Sequence, residues 1–224
     1  MQELASINMA EFISQNYQGY NSKVAIIDDA KSITYEELDH KAKQFAYYLT
    51  NQGIEPGDKI IILMEDCIEW VVAWLGANRI GCTTVHISNR VRPDSLPEAI
   101  KISKAKIAIC DPNNEVHAPV FADSGLMLVC KDTIMADHPG KIDSYYANHP
   151  DEICYWVLTS GTGGGQKIIA HRHGSLPNTL KKIIPSFDID DTSVFHSIPK
   201  LGFQFGFTDI IMLSLIHISE PTRP

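Results

Sequence analysis

The sequence predicts an α/β fold, doubly wound around mainly parallel strands. Three observations carry that expectation. Continuous apolar runs of strand length recur at residues 60–64, 82–87 and 105–110, segments with helical spacing stand between them at 66–80 and 93–102, and no repeat or low-complexity stretch breaks the rhythm. Strands alternating with helices of this length pair in parallel through right-handed crossovers.

The elements follow in order. Residues 10–15 suit a short helix and 23–28 a strand, with a turn at Asp28-Asp29. Thr34 and Glu37 have the spacing of a capping box, and Leu38, Ala42, Phe45, Ala46 and Leu49 continue at helical intervals to about Asn51, where Gly53 offers a stop. After the strand at 60–64, Ile68, Val71, Val72, Leu75 and Ala77 form the apolar side of a packed helix that Gly81 ends. Residues 126–130 read as a further strand, while 132–151, rich in Pro, Gly, Asp and Tyr, read as a surface connection. Residues 174–184 read as a helix broken at Pro177, and 192–198 as another strand.

Composition narrows the function classes. The 224 residues are 44% hydrophobic, with a net charge of -8 and no Lys/Arg cluster, which argues against a nucleic-acid surface and for a small-molecule partner. The five cysteines are odd in number and lack Cys-x-x-Cys spacing, so neither a disulfide framework nor a zinc site is expected. Residues 1–15 lack the basic-then-apolar design of a signal peptide, and no apolar run approaches the ~20 residues of a membrane helix. A cytoplasmic protein without a membrane segment is the expectation.

The chemistry concentrates at residues 158–167. Thr159, Ser160, Gly161, Thr162, Gly163, Gly164, Gly165 and Lys167 crowd between apolar runs at 153–158 and 168–170, which suggests a mobile loop joining two buried strands. Glycines let backbone N–H groups turn toward an anion, hydroxyls add donors, and a lysine follows phosphoryl oxygens. A Walker loop is excluded, because Gln166 stands where its glycine precedes the lysine and Ile168 where Ser or Thr follows. A dinucleotide fingerprint begun at Gly163 meets Ile168 where its third glycine belongs. A glycine-rich surface linker is the remaining alternative on composition alone.

This stretch resembles the phosphate-binding signature of adenylate-forming enzymes, the acyl-CoA synthetase superfamily, which a short apolar strand and a histidine follow. Thr159, Ser160, Gly161, Thr162, Gly164, Lys167 and His171 fall in register, and Gly163 sits where Thr is usual. Gln166 replaces the usual proline and Ile168 the usual glycine, so a looser loop is expected. The run Ile33-Thr34-Tyr35-Glu36-Glu37-Leu38, followed by Pro56-Gly57-Asp58, is similar to the family's opening.

The resemblance implies ATP and Mg2+ at the loop, Lys167 as the catalytic charge, and Thr159 to Gly164 as phosphate binders. His171 and His173 could share an ion as imidazoles two apart, but no Cys, Asp or Glu follows at ligand spacing, so structural histidines are expected.

The aromatics Phe203, Phe205 and Phe207 alternate around Gly206. Residues 200–207 resemble the Lys-Leu-Phe-Phe-x-Tyr-Gly segment of the benzoate-CoA ligase branch, which lines the aryl-carboxylate pocket. That implies Lys200, Phe203, Phe205 and Gly206 as substrate-binding residues, with Gly202 in place of a ring enlarging the pocket. Core packing is the alternative.

Residues 213–224 look like the in-frame translation of a sequencing-library adapter, leaving 1–212 as part of an AMP-binding N-terminal domain. The resemblance covers only the first part of the family's architecture, and the later motifs for adenine, magnesium, ribose and the C-terminal lysine are absent, so no turnover is expected of this chain alone. Three functions stay open: ligation of a carboxylic acid to CoA through an acyl-adenylate, loading of a carrier-protein thiol, or non-catalytic nucleotide binding.

Overall fold

The computed structural model describes residues 6–29, 31–111, 113–160, 166–183, 190, 193–215 and 220–223. The N-terminal helix α1 (Met9–Asn16) begins where the Asn8 side chain accepts from the amides of Ala10 and Glu11. Strands β1 (Val24–Asp28) and β2 (Lys31–Thr34) form an antiparallel pair around Asp29, whose φ is 50°. The sequence reading missed β2. Helix α2 (Tyr35–Asn51) starts at the expected capping box of Thr34 and Glu37.

A six-stranded sheet follows, ordered β6-β5-β3-β4-β7-β8, from β3 (Lys59–Leu63), β4 (Thr83–His86), β5 (Ile107–Cys110), β6 (Met127–Val129), β7 (Ile153–Ser160) and β8 (Gln166–Arg172). All neighbours pair in parallel except β7 and β8, which form an antiparallel hairpin. Helices α3 (Ile68–Arg79), α4 (Leu96–Ser103), α5 (Ala118–Asp123) and α6 (Lys131–Met135) cross between strands. The doubly wound expectation therefore holds, with a mixed edge.

Alternation along the strands feeds two cores. Ile60, Ile62, Ile107, Ile109, Tyr155 and Val157 pack with the aromatic side of α3 on one face. Ile61, Leu63, Val85, Ala108 and Cys110 pack with α4 and α5 on the other. A strand buried on both faces reads as a continuous apolar run, which is why these were legible in the sequence.

Residues 137–150 are more than a surface connection. Tyr146 N–H donates to the Arg79 carbonyl at 2.9 Å, Ile142 N–H to that of Lys43 at 3.1 Å, and Asn148 Oδ1 accepts from Asn8 Nδ2 at 2.9 Å. The buried Arg79 guanidinium bonds Asp39 and Tyr145, so this strap is fastened to three helices.

Helix α7 (Ser175–Ile183) runs unbroken through Pro177, because a proline in the first turn forfeits no intrahelical hydrogen bond. Beyond it come β9 (Val194–His196), the short helix α8 (Gln204–Phe207), and Thr208–Leu215, wound with the wider π-type turns. The last strand, β10 (Glu220–Arg223), lies between β1 and β9 in a second sheet, parallel to both. It falls within residues 213–224, which the sequence reading set apart from the fold. Leu213, Ser214 and Leu215 are buried.

Candidate active site

The glycine-rich loop leaves β7 at the carboxyl ends of the parallel strands, where open α/β sheets place their ligands. Gly161, Thr162, Gly163, Gly164 and Gly165 lie outside the described residues. What flanks them is clear. Thr159 pairs with Lys167 and Ser160 with Gln166, so the loop closes a hairpin. Only β7 is a buried strand, because β8 forms the edge of the sheet with Lys167, Ile169 and Ala170 exposed.

The pairing of Val157 with Ile169 and Tyr155 with His171 puts these four residues on one face, and Lys167, two positions before Ile169, shares it. Lys167 and His171 are thus aligned along β8, about 13 Å apart at a strand's rise per residue. On this face a row of rings crosses the sheet. His86 stacks on Tyr155 with centroids 4.9 Å apart, and Tyr155 on His171 at 4.5 Å. Phe207 covers the row, 4.4 Å from Tyr155 and 4.9 Å from His86. Burial pushes the His86 imidazole down to about 3, reinforced by His171, and lowers His171 as well.

His173 diverges from this row. It is wholly buried, its Nδ1 accepts from Met9 N–H at 3.3 Å, and burial brings it down to about 4 against the opposing pull of Glu152. The two imidazoles thus serve different neighbourhoods.

The aromatic segment is split by its helical turn. Phe207 is core, whereas Phe203 and Phe205 are exposed. Phe205 borders a cavity of about 230 Å³ together with His171, Leu176, Ile183, Gln204 and Met212. Phe203 is not among its lining residues. Lys200 Nζ lies 3.5 Å from Glu65 Oε2 and 3.6 Å from Asp66 Oδ2, and Leu201 N–H donates to Asp66 Oδ1 at 2.9 Å. Lys200 thereby ties the segment to the carboxyl end of β3. Burial raises the Asp66 carboxyl, opposed by the Leu201 amide and Lys200.

Both glycines of the segment answer to close backbone. A Cβ on Gly206 would lie 2.3 Å from the Pro199 carbonyl oxygen, and one on Gly202 would lie 2.8 Å from Ser88 Cα. Gly202 therefore makes room for residues 87–88, a correction to the expectation that it enlarges a ligand pocket. Sequence reasoning missed Tyr155, Gln204 and Thr208 as site residues, and read His171 as structural. Counting back from the loop through the hairpin would have set Tyr155 opposite His171.

Comparisons with known proteins bear on the family and the fold. The 3-hydroxybenzoate--CoA ligase of Aromatoleum sp. (strain CIB) is 30% identical over 170 residues, 70% of this chain and 32% of that protein. The benzoate--CoA ligase of Thauera aromatica is 26% identical over 213 residues, 88% of this chain and 40% of its own length. The chain thus spans about a third to two fifths of these relatives. Among solved structures, the anthranilate CoA ligase AuaEII in complex with anthranoyl-AMP superposes with a TM-score of 0.88 at 18% identity, covering 98% of this chain and 45% of that one, which shows the shared fold. A profile described as AMP-binding enzyme matches residues 13–219, nearly the whole of the sequence, and on that match the chain belongs to the AMP-binding enzyme family.

Proposed function

We propose that this chain is the acid- and triphosphate-binding part of an AMP-forming acid–thiol ligase, which activates a carboxylic acid, aromatic in the first instance, as an acyl-adenylate and passes it to CoA. The observation that carries the reading is the shared face of β8, which aligns Lys167 beside the glycine-rich loop with His171 at the cavity. An acid whose body enters the cavity directs its carboxylate along the strand toward phosphates gathered at the loop.

In this reading the carboxylate oxygen attacks the α-phosphorus of ATP, the bond to pyrophosphate breaks, and the leaving group departs with its electron pair. Thr159, Ser160, Gly161, Thr162, Gly163 and Gly164 supply hydroxyl and amide donors, and Lys167 places a positive charge where phosphoryl charge builds up. Fixed donors aimed at developing charge are the largest source of acceleration in such transfers. Phe205 forms a wall of the acid site, and Lys200 and Gly206 hold the segment that carries it.

Among the described residues no three His, Cys, Asp or Glu side chains converge as a cation site. A Mg2+ ion in this reading is carried by the triphosphate itself. The five cysteines are free thiols, and a cytoplasmic setting is part of this reading. Among the described residues no helix is long and apolar enough to cross a membrane.

Acid-dependent exchange of pyrophosphate into ATP, measured on the longest reading frame containing this chain, tests the proposal. Exchange with an aryl acid supports it, and ATP binding without exchange for any carboxylic acid refutes it. Thioester formation on CoA rather than on a carrier-protein thiol decides between the two acceptors.

A further inference from the structure

The cavity beside His171 carries more information than its size. None of its lining residues is Asp, Glu, Lys or Arg, so it houses an uncharged body and leaves a carboxylate outside. Its volume of about 230 Å³ exceeds the roughly 150 Å³ of a cavity known to hold benzene, which suits one substituted ring. Its polar groups then decide which substituent.

Gln204 is held in one orientation. The Thr208 hydroxyl donates to the Gln204 main-chain carbonyl at 2.8 Å, so it can only accept from the side-chain amide. This fixes Nε2 toward Thr208 Oγ1, at 3.1 Å, and its other hydrogen meets the Tyr155 hydroxyl at 3.0 Å. Both amide hydrogens are thus engaged. Oε1, 3.3 Å from the Tyr155 hydroxyl, keeps a lone pair to spare.

His171 complements it. Stacking on Tyr155 fixes the plane of the ring, burial favours the neutral imidazole, and among the described residues neither ring nitrogen has a hydrogen-bond partner. A neutral imidazole presents one N–H and one lone pair. Oε1 calls for a donor on the ligand, and the imidazole can answer an acceptor. A hydroxyl is both.

We propose that the site takes a single-ring carboxylic acid bearing a ring hydroxyl, which Gln204 Oε1 and the His171 imidazole read, with Tyr155 as the residue that positions both. The proposal rests on the acid-activating reading above and adds the substrate class. A second carboxylate on the ring meets no cation in the cavity, and an unsubstituted ring leaves the two polar groups unanswered.

The test is binding of benzoate and of 2-, 3- and 4-hydroxybenzoate to the 224-residue chain by ligand-observed NMR. At least one hydroxybenzoate binds roughly tenfold more tightly than benzoate, the increment of one net hydrogen bond. Gln204→Leu removes that preference. His171→Phe, which keeps the stack on Tyr155, reduces the preference in the same way and serves if Gln204→Leu does not fold. Tyr155→Phe weakens discrimination without touching the ligand, an effect that general loosening would spread over all four acids. Equal affinity for all four, or a preference that survives both Gln204→Leu and His171→Phe, overturns the substrate class. Binding of none of the four overturns the acid site itself, and the proposal with it.

Discussion

Tyr155 and His171 face one another across the β7–β8 hairpin, paired in register, with ring centroids 4.5 Å apart and planes 8° from parallel. The pair joins the buried sheet to the cavity, since Tyr155 also stacks on His86 and bonds Gln204. Cross-strand ring pairs of this kind contribute about 0.5–1.5 kcal/mol beyond their burial. A double-mutant cycle of Tyr155→Leu and His171→Leu, read by urea unfolding, is expected to return a coupling of that size. Strict additivity would mean that the stack is incidental.

The buried histidines make the fold sensitive to acid. His86 is held down to about 3 and His173 to about 4, while an imidazole in the unfolded chain titrates near 6.5. Above ~6.5 neither state binds a proton there, and these groups leave stability unchanged with pH. Below it only the unfolded chain binds protons, so stability falls as the pH falls, by about 1.4 kcal/mol per pH unit for each histidine until its folded value is reached. Urea midpoints measured from pH 7.5 to 5 should decline, and His173→Leu should flatten the decline.

Gly206 stands where no side chain fits. A Cβ would lie 2.3 Å from the Pro199 carbonyl oxygen and 2.4 Å from that of Lys200, both of them backbone. Gly206→Ala is expected to cost about 1–3 kcal/mol by urea unfolding, as forced overpacking does, and to displace Phe205 from the cavity wall. A wild-type midpoint would show that the chain relaxes around this position.

The stretch 213–224 invites a separate check. We propose that these residues are adapter-encoded, although Glu220–Arg223 pair with β1 and β9. Sequencing the source locus past the codon for Met212 should find a different continuation. The same twelve codons in the genome would contradict this.

Much of the fold was legible because its signals are local. The capping box at Thr34 and Glu37, the two-faced strands and the left-handed Gly53 and Gly81 all act within a few residues. Strand β2 was missed because residues 31–34 pair with β1, a partner their own composition does not announce. The strap at 137–150 looked like loop because its hydrogen bonds run to residues over sixty positions away. The site divided the same way. Its glycine-rich loop was visible in nine consecutive positions, from Thr159 to Lys167. Its cavity was not, because β8, α7, α8 and the π-type turn each supply one wall. Phe203, Phe205 and Phe207 alternate in the sequence, but a helical turn sends Phe207 inward and leaves Phe205 at the cavity.

The central claim is that the β7–β8 hairpin holds a triphosphate for attack by an acid lying along β8. The most direct measurement is the effect of Lys167→Ala on acid-dependent pyrophosphate exchange in the longest reading frame containing this chain. Losing a charge aimed at the transition state should slow exchange roughly 100-fold or more at saturating acid and ATP. An unchanged rate would contradict the claim and move the phosphates away from this loop.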